Sequence, residues 1–219
     1  MKPKLKTPKG VENKTATAGF LPNGNFTYQE DFTSEKLDYR WIGLRGPREA
    51  FIKIGKKGLQ INPFETNIKE LKPTSTLFYR QQHNSFSFTT TLDYKPNSEK
   101  DLAGVVAMQS EAFNYVFGIT KKGNDYILLL QKNQRKDRRS REVSSEIIAS
   151  TKIDITKPVQ LQVKANGDNY EFSYATNGTD FVKLGGTVSG DILSTNVAGG
   201  FTGTLLGLYA TAANDALPE

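Results

Sequence analysis

The stretch that decides the fold is Val159-Gln-Leu-Gln-Val-Lys-Ala-Asn-Gly-Asp-Asn-Tyr-Glu-Phe-Ser-Tyr174. Every second position in both halves is apolar or small: Val159, Leu161, Val163 and Ala165, then Tyr170, Phe172 and Tyr174. A period of two is typical of a strand with one buried face and one wetter face. The halves are separated by Asn166-Gly-Asp168, and Asn-Gly tolerates the positive φ angles of a tight hairpin turn. The stretch therefore predicts an antiparallel β-hairpin.

The same pattern extends to both sides of this hairpin. Residues 86–94 alternate in the same way, with Ser, Thr, Thr and Asp on the polar side. Further strands are expected at 50–54, 58–62, 76–82, 102–109, 113–120, 125–132, 143–150, 180–187 and 204–211. About a dozen short strands, roughly 10–12 residues apart, are typical of a two-sheet antiparallel β-sandwich. We therefore expect an all-β fold, and the lack of a fixed-length sequence repeat disfavours a propeller.

The composition of the 219 residues fits one packed β domain with a polar extension. Hydrophobic residues make up 37% of the chain, and the 13 Phe and 9 Tyr among them can fill a core at this length. Residues 1–25 are rich in Lys, Pro, Thr and Gly and lack periodicity, as expected of a linker or an extended N-terminal arm. The β-sandwich domain is accordingly assigned to residues 26–219.

The net charge of +6 is concentrated in two short segments. Residues 1–14 hold five Lys against one Glu, and residues 132–142 hold six Lys or Arg against two acidic residues. The rest of the chain is slightly negative, so we expect solvated charge on a tail and a loop and no nucleic-acid partner. The alternative, an anion site on 132–142, predicts binding that weakens steeply with salt.

The sequence lacks the residues that several kinds of catalytic or metal site require. Without Cys, the chain can form no disulfide, thiolate metal site or thiol nucleophile. His83 is the single histidine, so a zinc site is not expected, and no Gly-x-Ser-x-Gly elbow is present. We expect no cofactor; calcium would suit this fold class, but no Asp-x-Asp loop is found. The N-terminus lacks the apolar part of a signal peptide, and no apolar run is long enough to cross a membrane, so no membrane partner is expected.

Two further runs carry a family resemblance: Arg80-Gln-Gln-His83 and Val197-Ala-Gly-Gly-Phe-Thr-Gly-Thr-Leu-Leu-Gly-Leu-Tyr-Ala210. With other matching pieces in order, among them Leu44-Arg-Gly-Pro-Arg48 and Ala103-Gly-Val-Val-Ala-Met-Gln109, residues 28–211 resemble the C-terminal domain of family 43 glycoside hydrolases, the β-xylosidase and arabinofuranosidase group. The resemblance implies a concanavalin A-like jelly roll beside a five-bladed β-propeller. The propeller carries the catalytic carboxylates of that family, so no catalytic residue and no activity are expected in this chain alone.

The resemblance also implies a site residue. Phe201, flanked by Gly200 and Thr202, is similar to the aromatic residue that helps to close the sugar pocket of the propeller. Its flat apolar face suits a sugar ring, and the neighbouring glycines allow the sharp turn that would present it. The alternative is that Phe201 is a core residue at the start of the last strand.

A second group of residues is expected to contact either saccharide hydroxyls or the propeller: Arg48, Arg80, Gln82 and His83. If 80–83 is a strand, Arg80 and Gln82 share one face. The alternative for this run is a polar strand that merely pairs with its neighbours.

The runner-up function is an autonomous carbohydrate-binding module for xylan-type polysaccharides, with Gln109, Asn114 and Tyr115 on a concave sheet face. The partners expected under either function are xylo- or arabino-oligosaccharides.

The resemblance favours a periplasmic or secreted bacterial protein. It also implies one more strand, rich in Asp, Phe and Trp, after a turn like Asn214–Pro218, whereas this sequence ends at Glu219. The sequence does not indicate which segment closes the sheet.

Overall fold

The computed structural model describes residues 27–34, 36–56, 58–136, 140 and 142–215. The expected N-terminal arm, 1–25, lies outside the described residues, as does part of the basic segment 132–142. The chain divides into two compact units, Met1–Asp31 and Phe32–Glu219. In the described part of the first unit, the Tyr28 hydroxyl donates to Glu30 Oε2 at 2.9 Å.

The second unit is built almost entirely of strands. They are β1 Ile42–Gly43, β2 Ile52–Gly55, β3 Gly58–Ile61, β4 Ser75–Arg80, β5 Ser85–Leu92, β6 Leu102–Ser110, β7 Phe113–Lys122, β8 Asp125–Arg135, β9 Val143–Lys152, β10 Val159–Asn166, β11 Asn169–Ala175, β12 Val182–Lys183, β13 Val188–Ser189 and β14 Leu205–Thr211. The helical pieces are short: 3-10 turns at Arg48–Ala50 and Gly190–Leu193, and α1 at Thr195–Ala198. No helix in the described ranges is long and apolar enough to cross a membrane.

The named strands pair antiparallel in two main sheets. The large sheet has the order β1-β4-β14-β6-β7-β8-β9, and the small sheet has the order β12-β11-β10-β5, with β13 also paired to β11. The strands β2 and β3 form a separate hairpin. The predicted all-β sandwich is confirmed. Because β14 is paired on both sides, its ladder is complete without a further strand.

The hairpin predicted from residues 159–174 is present as β10 and β11. Asn166 pairs with Asn169, and Gly167 takes the positive φ of +58° that the turn requires. The single strand expected at 180–187 is wrong, because two short strands, β12 and β13, stand there instead. Gly185 lies between them at a φ of +72°, which breaks the extended chain. The strand expected at 76–82 ends earlier, at Arg80.

The main core lies between the two sheets. Alternate side chains of β6, β7 and β8 meet those of β10 and β11, among them Tyr115, Phe117 and Phe172. The Phe172 ring centroid lies 5.5 Å from that of Phe117 and 5.8 Å from that of Tyr115, both within the range of favourable aromatic pairs. The period of two thus gives each strand its buried side.

The outer face of the large sheet is also covered. Apolar residues of β6, β7, β8 and β14 pack there with Ile68 and Phe78, and a further cluster surrounds Trp41 and Phe51. The polar side chains on this face are paired with one another. Asn133 Nδ2 donates to Asn114 Oδ1 at 2.8 Å, and Gln131 Nε2 donates to Asn133 Oδ1 at 2.7 Å.

The outer face of the small sheet is polar. Its exposed or half-exposed residues on β5, β10 and β11 are Ser87, Thr89, Thr91, Gln160, Gln162, Lys164, Glu171 and Ser173. No aromatic side chain is among them, and Gln162 Nε2 donates across the strands to Thr89 Oγ1 at 3.0 Å. This face is a solvated surface typical of an antiparallel sheet.

Candidate functional site

The candidate site is the loop of residues 199–204, which leads into β14. Gly199, Gly200 and Gly203 have φ angles of +74°, +74° and +73°. This left-handed region is open to glycine and strained for most other residues, so the sequence Gly-Gly-Phe-Thr-Gly turns sharply at this point. The loop precedes a strand that lies inside the large sheet, and a rigid element therefore fixes its exit.

Phe201 stands at the tip of this loop with its side chain fully exposed. It lies outside β14, which begins at Leu205, so the alternative of a core residue at the strand start is wrong. Val197, two residues before the glycines, is also exposed. This end of the domain therefore exposes two apolar side chains.

Two side chains from neighbouring strands contact the loop backbone. Arg80 Nη1 donates to the Thr202 carbonyl at 2.5 Å, and Gln109 Nε2 donates to the Gly199 carbonyl at 2.9 Å. The predicted residues Arg80, Gly200, Phe201 and Thr202 therefore lie together. Gln109 was expected on a concave sheet face, but it is buried and contacts this loop instead.

The run Arg80-Gln-Gln-His83 is a strand only at its first residue. Gln81 still donates its backbone N–H to Thr204 O at 3.0 Å, but the residues after it leave the sheet. The Gln81 side chain accepts from the Tyr170 hydroxyl at 2.7 Å and donates to His83 O at 3.0 Å. The expected face shared by Arg80 and Gln82 is therefore wrong, because Gln81 ties this segment to the small sheet.

The remaining predicted contacts differ in their surroundings. Gln82 is exposed and His83 is half-buried, and a saccharide or interdomain contact by either residue stays a prediction. Arg48 has an internal role: its guanidinium donates to the carbonyls of Asp38 at 2.7 Å, Leu37 at 3.1 Å and Trp41. Arg48 thereby fixes the segment 37–41. A contact of Arg48 with a saccharide or with the propeller stays a prediction.

The far side of the loop borders an open cleft. The cleft is lined by α1 with Gly199, and by Phe113, Gln134 and Arg135 at the ends of β7 and β8. The Thr204 hydroxyl donates to Leu193 O at 3.1 Å, which connects the loop to the 3-10 turn before α1. The loop is thus attached to its surroundings at its start, at its tip and at its exit.

Several surface carboxyl groups of the described residues are paired with basic side chains. A general acid in a glycosidase active site needs a raised carboxyl pKa. Here hydrogen bonds from Arg40, Lys72 and Lys183 lower the pKa values of Asp38, Glu70 and Glu171, respectively. Within the described ranges no group of three or more Asp, Glu, His or Cys is placed to hold a metal ion, and the cofactor expectation stays a prediction.

Comparison with known proteins identifies the class. Residues 29–217 match the model of the β-xylosidase C-terminal concanavalin A-like domain. The chain belongs to this family of C-terminal domains of family 43 glycoside hydrolases. It is 25% identical over 209 residues to the non-reducing end α-L-arabinofuranosidase BoGH43B of Bacteroides ovatus, covering 92% of this chain and 37% of that protein.

Solved structures agree with this assignment. A family 43 enzyme of subfamily 12, retrieved from a capybara gut metagenome, is 46% identical with a TM-score of 0.82, over 94% of this chain and 38% of that one. The family 43 protein BlXynB of Bacillus licheniformis shares the fold at 18% identity and a TM-score of 0.74, over 89% of this chain and 38% of that one. The chain therefore spans little more than a third of the length of these relatives.

Proposed function

We propose that this chain is a non-catalytic accessory domain that stabilises the β-propeller of a family 43 glycosidase and contributes Phe201 to the rim of its sugar pocket. The observation that carries the proposal is the fully exposed Phe201 on a loop of three left-handed glycines, held by Arg80 and Gln109. Exposing an apolar ring forgoes roughly 1.5–3 kcal/mol of burial energy, which a partner that covers it would recover. The proposed partner is the catalytic propeller.

The chemistry of Phe201 suits this role. The ring offers a flat apolar face to the C–H groups of a sugar, and it would exclude water from the mouth of the pocket. We propose xylo- or arabino-oligosaccharides as substrates of the complete enzyme, in keeping with the arabinofuranosidase named among the relatives. Bond cleavage belongs to carboxylates of the propeller in this proposal.

The alternative, an autonomous xylan-binding module, loses the three contact residues predicted for it. All three of them, Gln109, Asn114 and Tyr115, are buried among the described residues. The exposed outer face of the small sheet carries Ser, Thr, Gln, Lys and Glu, and it offers no aromatic ring for a sugar to stack on.

The proposal is tested with the isolated chain. Calorimetric titration with xylo- and arabinoxylo-oligosaccharides is expected to give no saturable heat, because half of the site belongs to the partner. Turnover of nitrophenyl xyloside and nitrophenyl arabinofuranoside should stay at background. A cooperative unfolding transition of the same sample provides the control for folding. Saturable binding would contradict the accessory role and favour the module; turnover that survives further purification would contradict both.

A further inference from the structure

The loop 199–204 is flanked by the two strands that pair with β14. Leu205, the first residue of β14, lies opposite Arg80 of β4 on one side and Met108 of β6 on the other. Gln109 is the next residue of β6. The two strands therefore place one long polar side chain on each side of the loop, at the level where β14 begins.

These two side chains bind carbonyls on opposite sides of Phe201. Gln109 Nε2 donates to Gly199 O, two residues before the ring, and Arg80 Nη1 donates to Thr202 O, one residue after it. The short tip between the two hydrogen bonds is Gly200-Phe201-Thr202. Glycine-rich backbone has more conformational freedom to lose than any other, so such a tip would sample many conformations without these bonds.

Core packing does not account for Gln109. The residue follows the inward-facing Val105 and Ala107 of β6 and is only 5% exposed. Its Oε1 atom is buried and accepts no hydrogen bond from the described residues. A buried carboxamide with an unpaired acceptor costs free energy that an apolar side chain would not. What the amide supplies at this position is the donor to Gly199 O.

We infer that Arg80 and Gln109 are positioning residues that hold the loop 199–204 in one conformation, so that Phe201 is ordered before it meets its partner. An effect of these two residues on catalysis rests on the proposed function, whereas their effect on the conformation of the loop does not. Ordering a flexible segment on association reduces affinity, and a segment that is already ordered avoids this loss.

The first test measures the loop in this chain. Arg80→Met and Gln109→Met keep the length and apolar volume of the side chains but remove both donors. In the double variant, the backbone 15N order parameters of Gly200, Phe201 and Gly203 should fall from about 0.8 to below about 0.6. The matched control is Lys164→Met with Gln162→Met on the outer face of the small sheet, which should leave them unchanged.

Unchanged order parameters in the double variant would overturn the inference. Arg80 is exposed, so Arg80→Met alone leaves the core intact. If the double variant does not unfold cooperatively, this single variant is judged by the same criterion, with the largest change expected at Gly203.

The second test measures kcat/KM in the complete enzyme. The double variant should reduce kcat/KM roughly 3- to 10-fold, and it should cause no further loss when Phe201 is already Ala. A further loss in the Phe201→Ala background would show that the two residues act on something other than Phe201. If Phe201→Ala alone has no effect, the proposed function fails, and the order parameters still decide whether the loop is held.

Discussion

At the scale of single residues, Tyr115 of the large sheet is hydrogen-bonded to β13, the short strand paired with β11 of the small sheet. It is buried at the centre of the main core, and its hydroxyl donates to the Ser189 carbonyl of β13 at 2.8 Å. Burial raises the pKa of its phenol to about 12, and the charges of Asp191 and Glu146 act in the same direction. The neutral phenol is therefore the form that the fold requires.

We expect Tyr115→Phe to lower the free energy of unfolding by about 1 kcal/mol at pH 7, because the carbonyl of Ser189 loses its donor while the ring keeps its packing. Urea unfolding followed by circular dichroism measures the change. Tyr39→Phe, at a residue that is 84% exposed, is the control and should have no measurable effect. Equal stability of the wild type and Tyr115→Phe would refute the role of this hydrogen bond.

The same variant predicts a pH dependence. The pKa of Tyr115 is raised from 10.0 to about 12 in the folded state, so its stabilising contribution is fully present below pH 10 and is lost as the pH rises through 12. The wild type should therefore lose more stability than Tyr115→Phe between pH 10 and pH 12. Parallel stability curves over this range would contradict the account.

At the scale of elements, β6 and β7 approach each other closely where Gly104 pairs with Gly118. A Cβ atom added to Gly104 would lie 2.1 Å from Phe117 O and 2.4 Å from Gly118 Cα. Both contacts are with the backbone of the partner strand, so no side chain can move aside to relieve them. The paired glycines thus fix the distance between two strands at the centre of the sheet.

Gly104→Ala should destabilise the domain by about 3 kcal/mol, because the sheet must deform to admit the methyl group. Thermal unfolding by calorimetry measures this loss. Gly55→Ala in β2 is the matched control: its added Cβ meets nothing within 4 Å, and its stability should change by less than about 0.5 kcal/mol. Similar transitions for the two variants would exclude the proposed close approach.

Strands could be predicted where their pattern is local. The hairpin of β10 and β11 follows from alternation and an Asn-Gly turn within sixteen consecutive residues, and the antiparallel pair is confirmed. The single strand predicted at 180–187 is wrong because Gly185-Gly186 interrupts the alternation. The turn at these glycines outweighs the β propensity of the flanking residues. The strand at Ile42–Gly43 is two residues long and carries no periodic signal.

The surroundings of the site could be predicted only in part. The glycines around Phe201 are visible in the sequence, and they indicate a sharp turn. The roles of Arg80 and Gln109 depend on β14 lying between β4 and β6, which follows from long-range pairing that one sequence does not show. One sequence feature did point to Gln109: it is a polar residue that continues the inward-facing apolar positions of β6.

At the scale of the whole molecule, the described residues expose a few large apolar side chains, which are Tyr28, Tyr39, Leu71, Val182, Val197 and Phe201. The central strands of the large sheet are covered on both faces, and the small sheet presents Ser, Thr and Gln to water. Phe201 and Val197 are exposed at the end where the loop 199–204 and α1 lie. Phe201 is the most exposed of these side chains, which directs the search for a partner to that end of the domain.

The central claim is that Phe201 acts in the sugar pocket of a partner domain, and the most direct measurement is kcat/KM of the complete enzyme with Phe201→Ala. The substrates are nitrophenyl xyloside and nitrophenyl arabinofuranoside, and Tyr39→Ala serves as a second exposed aromatic. Losing the apolar contact should lower kcat/KM about tenfold in Phe201→Ala, with an unchanged unfolding midpoint, while Tyr39→Ala retains full activity. Wild-type kinetics in Phe201→Ala would contradict the account.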